Sequence, residues 1–400
     1  MSRPPRLLLL SSYYSPDLSA GSFRATALVA ALRRLAPELR IDVLTTLPNR
    51  YKSFMSEAPE LEAQGPLTIH RIRLPAHASG MRDQARAYLH YARAVLGRTS
   101  GVEYDLVFAT SGRLMTAVLA AVCARRTRAP LYLDLRDIFV DTIGDVLASP
   151  WQRPMRMLFS PLEAFAVRNA THVNLVSEGF RPYFESSFPQ QSYSFYTNGI
   201  DEEFLESVAV EVRPVSHPLR VLYAGNMGEG QGLHAVIPGL AGALGERAHF
   251  RLIGDGGRRA ELIRTLEARG VQNVELLPPM PRADLVREYA AADVLFLHLN
   301  AYPAFEKVLP SKIFEYAALG KPVWAGVGGY AARFLREEVR NSAVFTPCDV
   351  DAGVRALEEL ELRPTPRPEF IEKFDRRRIM ALMATDLLRL IDRAHAQKGR

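Results

Sequence analysis

Apolar runs of strand length alternate with longer stretches of helical period from the start of the chain. Arg6 to Leu10, Ile41 to Thr45, Ile69 to Leu74, Leu106 to Ala109, Leu131 to Leu135 and Val173 to Val176 read as buried strands. Between them, Gly21 to Leu35, Arg82 to Leu96, Leu114 to Arg125 and Met155 to Asn169 place apolar residues three and four apart, as helices do. This order is the signature of βαβ units around a parallel sheet. The pattern breaks through Ser186 to Pro218, where Pro189, Asn198-Gly199, Pro214 and Pro218 are turn and linker residues. It resumes with strands at Val221 to Ala224, Arg251 to Ile253, Val274 to Leu276, Val294 to Leu297, Val323 to Ala325 and Ala343 to Phe345, separated by helical stretches.

The expected fold class is therefore α/β, with two Rossmann-like doubly wound domains facing a cleft. The predicted boundaries are 1–190 for the first domain, 191–218 for a linker and 219–372 for the second domain. A final helix in 373–400 follows Pro364, Pro366 and Pro368 and is expected to pack back on the first domain. In open sheets of this kind ligands sit beyond the carboxyl ends of the strands, where strand order reverses. A length of 400 residues supports two cores rather than one.

Composition changes this picture little. The formal charge of +6 comes from short, scattered basic clusters such as Arg125-Arg126 and Arg376 to Arg378, without the aromatic or glycine pattern of an RNA-binding sheet, so no nucleic-acid partner is expected. Leu7 to Leu10 follow basic residues as in a secretion signal, but four apolar residues fall short of the roughly 7 to 15 such a signal needs. No stretch approaches the about 20 residues of a membrane span. Two cysteines, Cys123 and Cys348, give neither a disulfide framework nor metal-ligand spacing, and a cytoplasmic location is the expectation. No metal and no bound cofactor are expected.

The most informative segment runs from Val308 to Val323, VLPSKIFEYAALGKPV. Pro310 suits the first turn of a helix and Gly320 its left-handed stop. Ser311 and Glu315 stand four apart, on a face opposite Ile313, Phe314 and Ala317. A helix start offers free N–H groups to a phosphate, and a carboxylate one turn on suits the two hydroxyls of a ribose. In the first domain, Asp134, Arg136 and Asp137 close the strand Leu131 to Leu135, where a carboxylate would meet an acceptor hydroxyl. Ser177 and Glu178 end the next strand in the same way, although a helix cap explains Ser177 equally well. Of nine dispersed histidines, His298 at the end of its strand is the one placed to face a cleft. The loops that ATPases, zinc proteases and α/β-hydrolases require are missing.

The Val308 to Val323 segment resembles the donor-binding motif of the large retaining GT-B glycosyltransferase family that includes many lipopolysaccharide and capsule sugar transferases. Tyr223-Ala-Gly-Asn-Met-Gly228 with Gln231, Leu252-Ile-Gly-Asp-Gly256, Val274 to Pro281 and Ala291 to Leu295 are similar to its later elements in the same order. Tyr13-Tyr-Ser-Pro-Asp17 with Gly21 looks like its acceptor-side opening, giving Pro16, Asp17 and Gly21 as acceptor-side candidates. The resemblance implies a nucleotide-sugar donor, UDP-sugar favoured, with Glu315 on the ribose and Pro310, Ser311 and Lys312 on the diphosphate. Gly225, Asn226, Gly228, Gln231, Gly254 and Pro281 would line the donor.

Two departures stand out. Where the family commonly has a glutamate eight residues before Glu315, this chain has Lys307, with Glu306 one position away. Where the first loop of the donor domain often carries Arg and Lys, it has Asn226 and Gln231. Lys307 and Lys312 are the replacements in sequence. Asp137 stands where many relatives have a histidine, so Asp137 and Lys307 are the catalytic candidates. A subgroup with VLPSK-type motifs, including N-acetylfucosamine-like deoxy-amino-sugar transferases, is the most similar. The implied reaction is retaining transfer to a glycan or lipid-linked sugar in cell-surface polysaccharide synthesis. The implied location is the inner face of the cytoplasmic membrane, with Arg82, Arg86, Tyr88, Tyr91 and Arg93 of one helix resting on anionic lipid. A GT-B nucleotide-sugar epimerase and a non-catalytic GT-B scaffold are the alternatives.

Overall fold

The computed structural model describes residues 3–48, 57–75, 81–140, 152–206 and 215–398. The chain divides into two compact units, Met1–Asn198 with Arg376–Arg400, and Gly199–Asp375.

Unit 1 is built on an eight-stranded sheet. In chain order its strands are β1 (Arg6–Leu10), β2 (Arg40–Thr46), β3 (Leu61–Gln64), β4 (Leu67–Ile72), β5 (Leu106–Ser111), β6 (Leu131–Leu135), β7 (His172–Leu175) and β8 (Tyr193–Ser194), and their spatial order is β3-β4-β2-β1-β5-β6-β7-β8. All pairs are parallel except β3 with β4. Burial on both faces explains why Leu7 to Leu10 read as an unbroken apolar run. Strand order reverses between β1 and β5, so the loops after these two strands mark the switch point of this unit.

The helix Arg376–Lys398 belongs to unit 1. It buries Met380, Met383, Ala384, Leu387, Ile391 and Ala394, a stripe at helical spacing. Its polar contacts fix it in place: Tyr196 Oη donates to Asp386 at 2.5 Å, and His395 Nδ1 lies 3.4 Å from Asp105. The division at Asn198 differs from the predicted 190. β8 joins the first sheet, and the buried Arg24 donates to the carbonyls of Tyr196 and Thr197 at 2.7 and 2.6 Å, which binds this stretch to unit 1.

Unit 2 holds β9 (Leu219–Ala224), β10 (Ala248–Ile253), β11 (Val274–Leu277), β12 (Val294–His298), β13 (Val323–Gly326) and β14 (Ser342–Phe345). They form a parallel sheet in the order β11-β10-β9-β12-β13-β14, so strand order reverses between β9 and β12. Its core packs Val221, Phe250, Phe296, Trp324 and Phe345 against Ile237, Leu240 and Leu357 of the flanking helices. No described helix is long and apolar enough to cross a membrane.

Candidate active site

In unit 2 the site grows from the loops after β9 and β10 and from the helix Lys312–Ala318. The two loops meet backbone to backbone. Gly225 N–H donates to Ile253 O, and Met227 N–H to Asp255 O, each at 2.9 Å. Gly254 has φ +144°, and a β-carbon on it would fall 1.9 Å from the Gly225 carbonyl oxygen, so no other residue fits without moving the first loop.

The first loop is braced from its far side. Asn226 Nδ2 and Gly228 N–H donate to Gln231 Oε1 at 2.6 and 3.3 Å. Gln231 O accepts from His298 Nδ1 at 2.7 Å, while His298 Nε2 accepts from Cys348 N–H at 3.0 Å. Because Nε2 accepts, the ring is the neutral Nδ1–H tautomer. Burial, only partly offset by the Gln231 carbonyl, takes its pKa down to about 4. His298, expected to face a cleft, is instead a fully buried tie between two loops. Asn226 and Gln231 likewise spend their side chains on one another.

The helix Lys312–Ala318 buries Ile313, Phe314, Tyr316 and Ala317, and Gly320 ends it at φ +65°. Pro310, expected inside the first turn, stands before the cap residue Ser311, and its carbonyl accepts from Ile313 N–H at 3.2 Å. The first turn is a tight one, with Phe314 N–H bonding back to Ser311 O. Glu315, expected on the face away from the apolar residues, is itself buried, at 7% exposure. The reason is its partners: Lys312 Nζ donates to Oε2 at 2.9 Å and Tyr289 Oη to the same oxygen at 3.2 Å. Lys312 Nζ also donates to Tyr289 Oη at 3.2 Å, closing a triangle. The Lys312 stem lies over the first loop, its Cε 3.5 Å from where a β-carbon on Gly225 would sit.

Charge around Glu315 is arranged by the helix Arg282–Ala291, which carries Tyr289 at its far end. Burial, reinforced by the Glu315 charge, holds the Tyr289 phenol well above its usual range, so it stays a neutral donor. Arg282 pairs with Asp201 and, at 3.5 Å, with Glu203. Burial works against its charge, but Asp201, Glu315 and Glu203 outweigh it and raise its pKa. Pro281 is the exposed residue before this helix and makes no side-chain bond. Lys307 ends the turn Pro303–Lys307, whose Phe305 ring would lie 2.9 Å from a β-carbon on Gly230, so this turn rests on the first loop. The structure thus brings Gly225, Asn226, Gly228, Gln231, Gly254, Lys312 and Glu315 together. It adds Tyr289 and Arg282, for which the sequence held no spacing signal.

In unit 1 the neighbouring acids Asp134 and Asp137 part company. Asp134 is fully buried; Arg24 Nε and Nη2 bind its two oxygens at 2.8 and 2.9 Å, and Asn174 adds a third bond at 2.8 Å. That makes Asp134 one half of a buried ion pair. Arg136 and Asp137 instead reach the loop after β5: a β-carbon on Gly112 would lie 3.6 Å from Asp137 Oδ2 and 3.9 Å from Arg136 Nη1. Arg136 Nη1 also covers Gly21, 2.0 Å from where its β-carbon would be, so Gly21 makes room for a guanidinium. Burial, opposed by Arg136, pushes the Asp137 carboxyl up to about 6. Burial lowers the Arg136 pKa against the opposing charges of Asp137 and Asp134.

The other first-unit candidates are accounted for locally. Ser177 caps the turn Glu178–Phe180 through Gly179 N–H at 3.2 Å, and Glu178 pairs with Arg181 at 2.9 Å. Pro16 and Asp17 lie in the loop after β1, where Asp17 is buried and its N–H donates to Tyr14 O at 3.0 Å. Pro16 borders a cavity of about 340 Å³ between the helix Ala20–Leu35 and the β3–β4 hairpin. On the helix Met81–Arg98, Arg86 and Arg93 are exposed, but Tyr91 is buried and Tyr88 bonds to Met115 O at 2.6 Å, so both tyrosines face inward. The Arg82 side chain lies outside the described residues.

Residues 20–192 match the glycosyl transferase 4-like domain and residues 211–377 match glycosyl transferases group 1. The chain is a glycosyltransferase with the GT-B fold. WcaI of Escherichia coli (strain K12), provisionally named a colanic acid biosynthesis glycosyl transferase, is 32% identical over 100 residues, which is 25% of this chain and 24% of that protein. Among solved structures, sucrose-phosphate synthase from Thermosynechococcus elongatus is similar with a TM-score of 0.71 and 16% identity, covering 98% of this glycosyltransferase and 100% of that chain. Anabaena HepE, solved in complex with UDP and glucose, has a TM-score of 0.65 and 18% identity, covering 97% and 99%. At such identities the likeness is one of fold.

Proposed function

We propose that this glycosyltransferase moves a sugar from a nucleotide-diphosphate donor, UDP-sugar favoured, to an acceptor hydroxyl with retention of configuration, in cell-surface glycoconjugate synthesis. The observation that carries this reading is the convergence of Glu315, Lys312 and the Gly225–Gly228 loop beyond the strand-order reversal of unit 2. Both bonds to the Glu315 carboxylate fall on Oε2, which leaves Oε1 for the ribose hydroxyls. Lys312, over Gly225, is the charge for the diphosphate. A seven-residue helix contributes only a short dipole, so lysine charge must do most of that work. HepE, of the same fold, was solved with UDP and with UDP-glucose, which supports a UDP donor here.

In a front-face transfer the bond from the anomeric carbon to the diphosphate breaks and the acceptor oxygen bonds to the same face. The acceptor proton leaves with the departing phosphate. Lys312 and Lys307 stabilise the leaving group; one well-placed donor of this kind is worth roughly 3 kcal/mol. Asp137 orients the acceptor hydroxyl by accepting its hydrogen bond. The acceptor is a glycan or a lipid-linked sugar at the inner face of the cytoplasmic membrane. Arg86 and Arg93 are the exposed cations for a peripheral contact with anionic lipid.

A thermal-shift screen against UDP, GDP, ADP and TDP, followed by nucleotide release from the matching sugar with and without acceptor, tests the reading. Selective stabilisation and acceptor-dependent release are expected. Release or epimerisation without acceptor, or no stabilisation by any nucleotide, would refute it. Sedimentation with phosphatidylglycerol vesicles at low salt tests the membrane contact, and a protein that stays in the supernatant sinks it.

A further inference from the structure

We propose that Tyr289 is the positioning residue of the nucleotide site, holding Glu315 by one carboxylate oxygen and giving Lys312 a neutral oxygen that frees its charge for the diphosphate. The inference rests on the reading of Glu315 and Lys312 as donor contacts. The geometry is specific. The Tyr289 side chain is fully buried and comes from a different helix, 26 residues before Glu315. Its single hydroxyl donates to Glu315 Oε2 and accepts from Lys312 Nζ, both at 3.2 Å, so it uses the donor and one acceptor site that a neutral phenol has.

Without that hydroxyl, the bond between Lys312 and Glu315, at 2.9 Å, would be the one described side-chain hydrogen bond left to either group. The ammonium would then compete with the ribose for the carboxylate, and the carboxylate with the phosphate for the ammonium. Tyr289 relieves this competition. It fixes which carboxylate oxygen is engaged, and it stays hydrogen-bonded to the lysine when the lysine turns to an anion. The ring is held independently of its hydroxyl, edge-on to Tyr316 at 5.5 Å and tilted against Phe204 at 5.8 Å. Tyr289→Phe therefore removes the hydroxyl and keeps the packing.

The test is calorimetric titration of UDP into wild type, Tyr289→Phe, Glu315→Ala and the double variant, repeated with GDP, ADP and TDP if UDP does not bind. Tyr289→Phe should weaken binding by about 3- to 10-fold, the usual worth of one hydrogen bond. In the Glu315→Ala background the same change should cost less than in wild type, because only the bond to Lys312 remains to be lost. Equal losses in both backgrounds would assign Tyr289 to packing alone and overturn the inference. Unchanged affinity in Tyr289→Phe beside weakened binding in Glu315→Ala would overturn it while leaving the ribose reading intact. Unchanged affinity in Glu315→Ala, or no nucleotide bound by wild type, would overturn both. In turnover, Tyr289→Phe should raise the donor KM and also lower kcat, because Lys312 both binds the diphosphate and stabilises it as it leaves.

Discussion

Gly254→Ala puts one methyl group where the two donor-side loops touch. Its β-carbon would lie 1.9 Å from the Gly225 carbonyl oxygen and 3.0 Å from its carbon, both rigid backbone atoms. Restoring an ordinary contact of about 3.4 Å needs the loops to part by about 1.5 Å. Overpacking of this kind costs about 1–3 kcal/mol, and a non-glycine residue at φ +144° adds about 1–3 kcal/mol of strain. The expected loss is about 2–6 kcal/mol. Unit 2 spans Gly199–Asp375, and at about 2–4 °C per kcal/mol for a domain of that size its Tm should fall by about 4–24 °C. The displaced residue, Gly225, lies beneath Lys312, so nucleotide affinity should fall as well. Differential scanning calorimetry and UDP titration of the variant would check both. A Gly254→Ala protein with wild-type Tm and wild-type affinity would refute the reasoning, since it would mean the loops are not locked together.

The Asp137 carboxyl, raised to about 6, has a folded pKa above its unfolded one. Its contribution to stability is therefore complete below about pH 4 and is lost as pH rises towards 6. Asp137→Asn should remove that slope from Tm measured against pH. If the carboxylate orients the acceptor, kcat/KM of wild type should rise through about pH 6 and that of Asp137→Asn should be flat and lower by about 10²-fold or more. His298 carries the opposite sign: with a folded pKa near 4, stability should fall as pH drops from 6.5 to 4, and His298→Ala should abolish that slope while costing about 2–4 kcal/mol from the stranded Gln231 carbonyl and Cys348 N–H. Arg24→Met leaves Asp134 charged and buried without its partner, and a loss of about 3–5 kcal/mol in denaturant titration is expected. Arg24→Met with Asp134→Leu should recover most of it, and a double variant as weak as the single one would contradict that account.

The alternation of strands and helices was readable because parallel strands are buried on both faces and leave apolar runs. β3 escaped notice because Leu61–Gln64 is an exposed edge strand with no apolar rhythm, and β8 because it spans two residues. Local motifs brought out the glycine loops and Glu315, whose chemistry depends on neighbours in the chain. Tyr289 did not announce itself, since its role exists only where two helices meet. Asp134 and Asp137 look alike in the sequence, and Arg24, 110 residues away from Asp134, is what separates them. Histidine at a strand end signals exposure only if no loop closes over it, and at His298 the Gln231 and Cys348 backbones do.

The return of Arg376–Lys398 to unit 1 bears on how the chain is made. Unit 2 is one continuous stretch, entered and left at the same point, where Ile200 N–H bonds to Phe374 O at 2.8 Å. It can complete its contacts as soon as Asp375 clears the ribosome. Unit 1 begins first but must wait, with the groove that receives Met380, Met383 and Leu387 open to solvent, until the residues after Arg376 emerge. The half synthesised earliest is the half that finishes last, and during that interval it is the part of the newborn protein with most need of a chaperone.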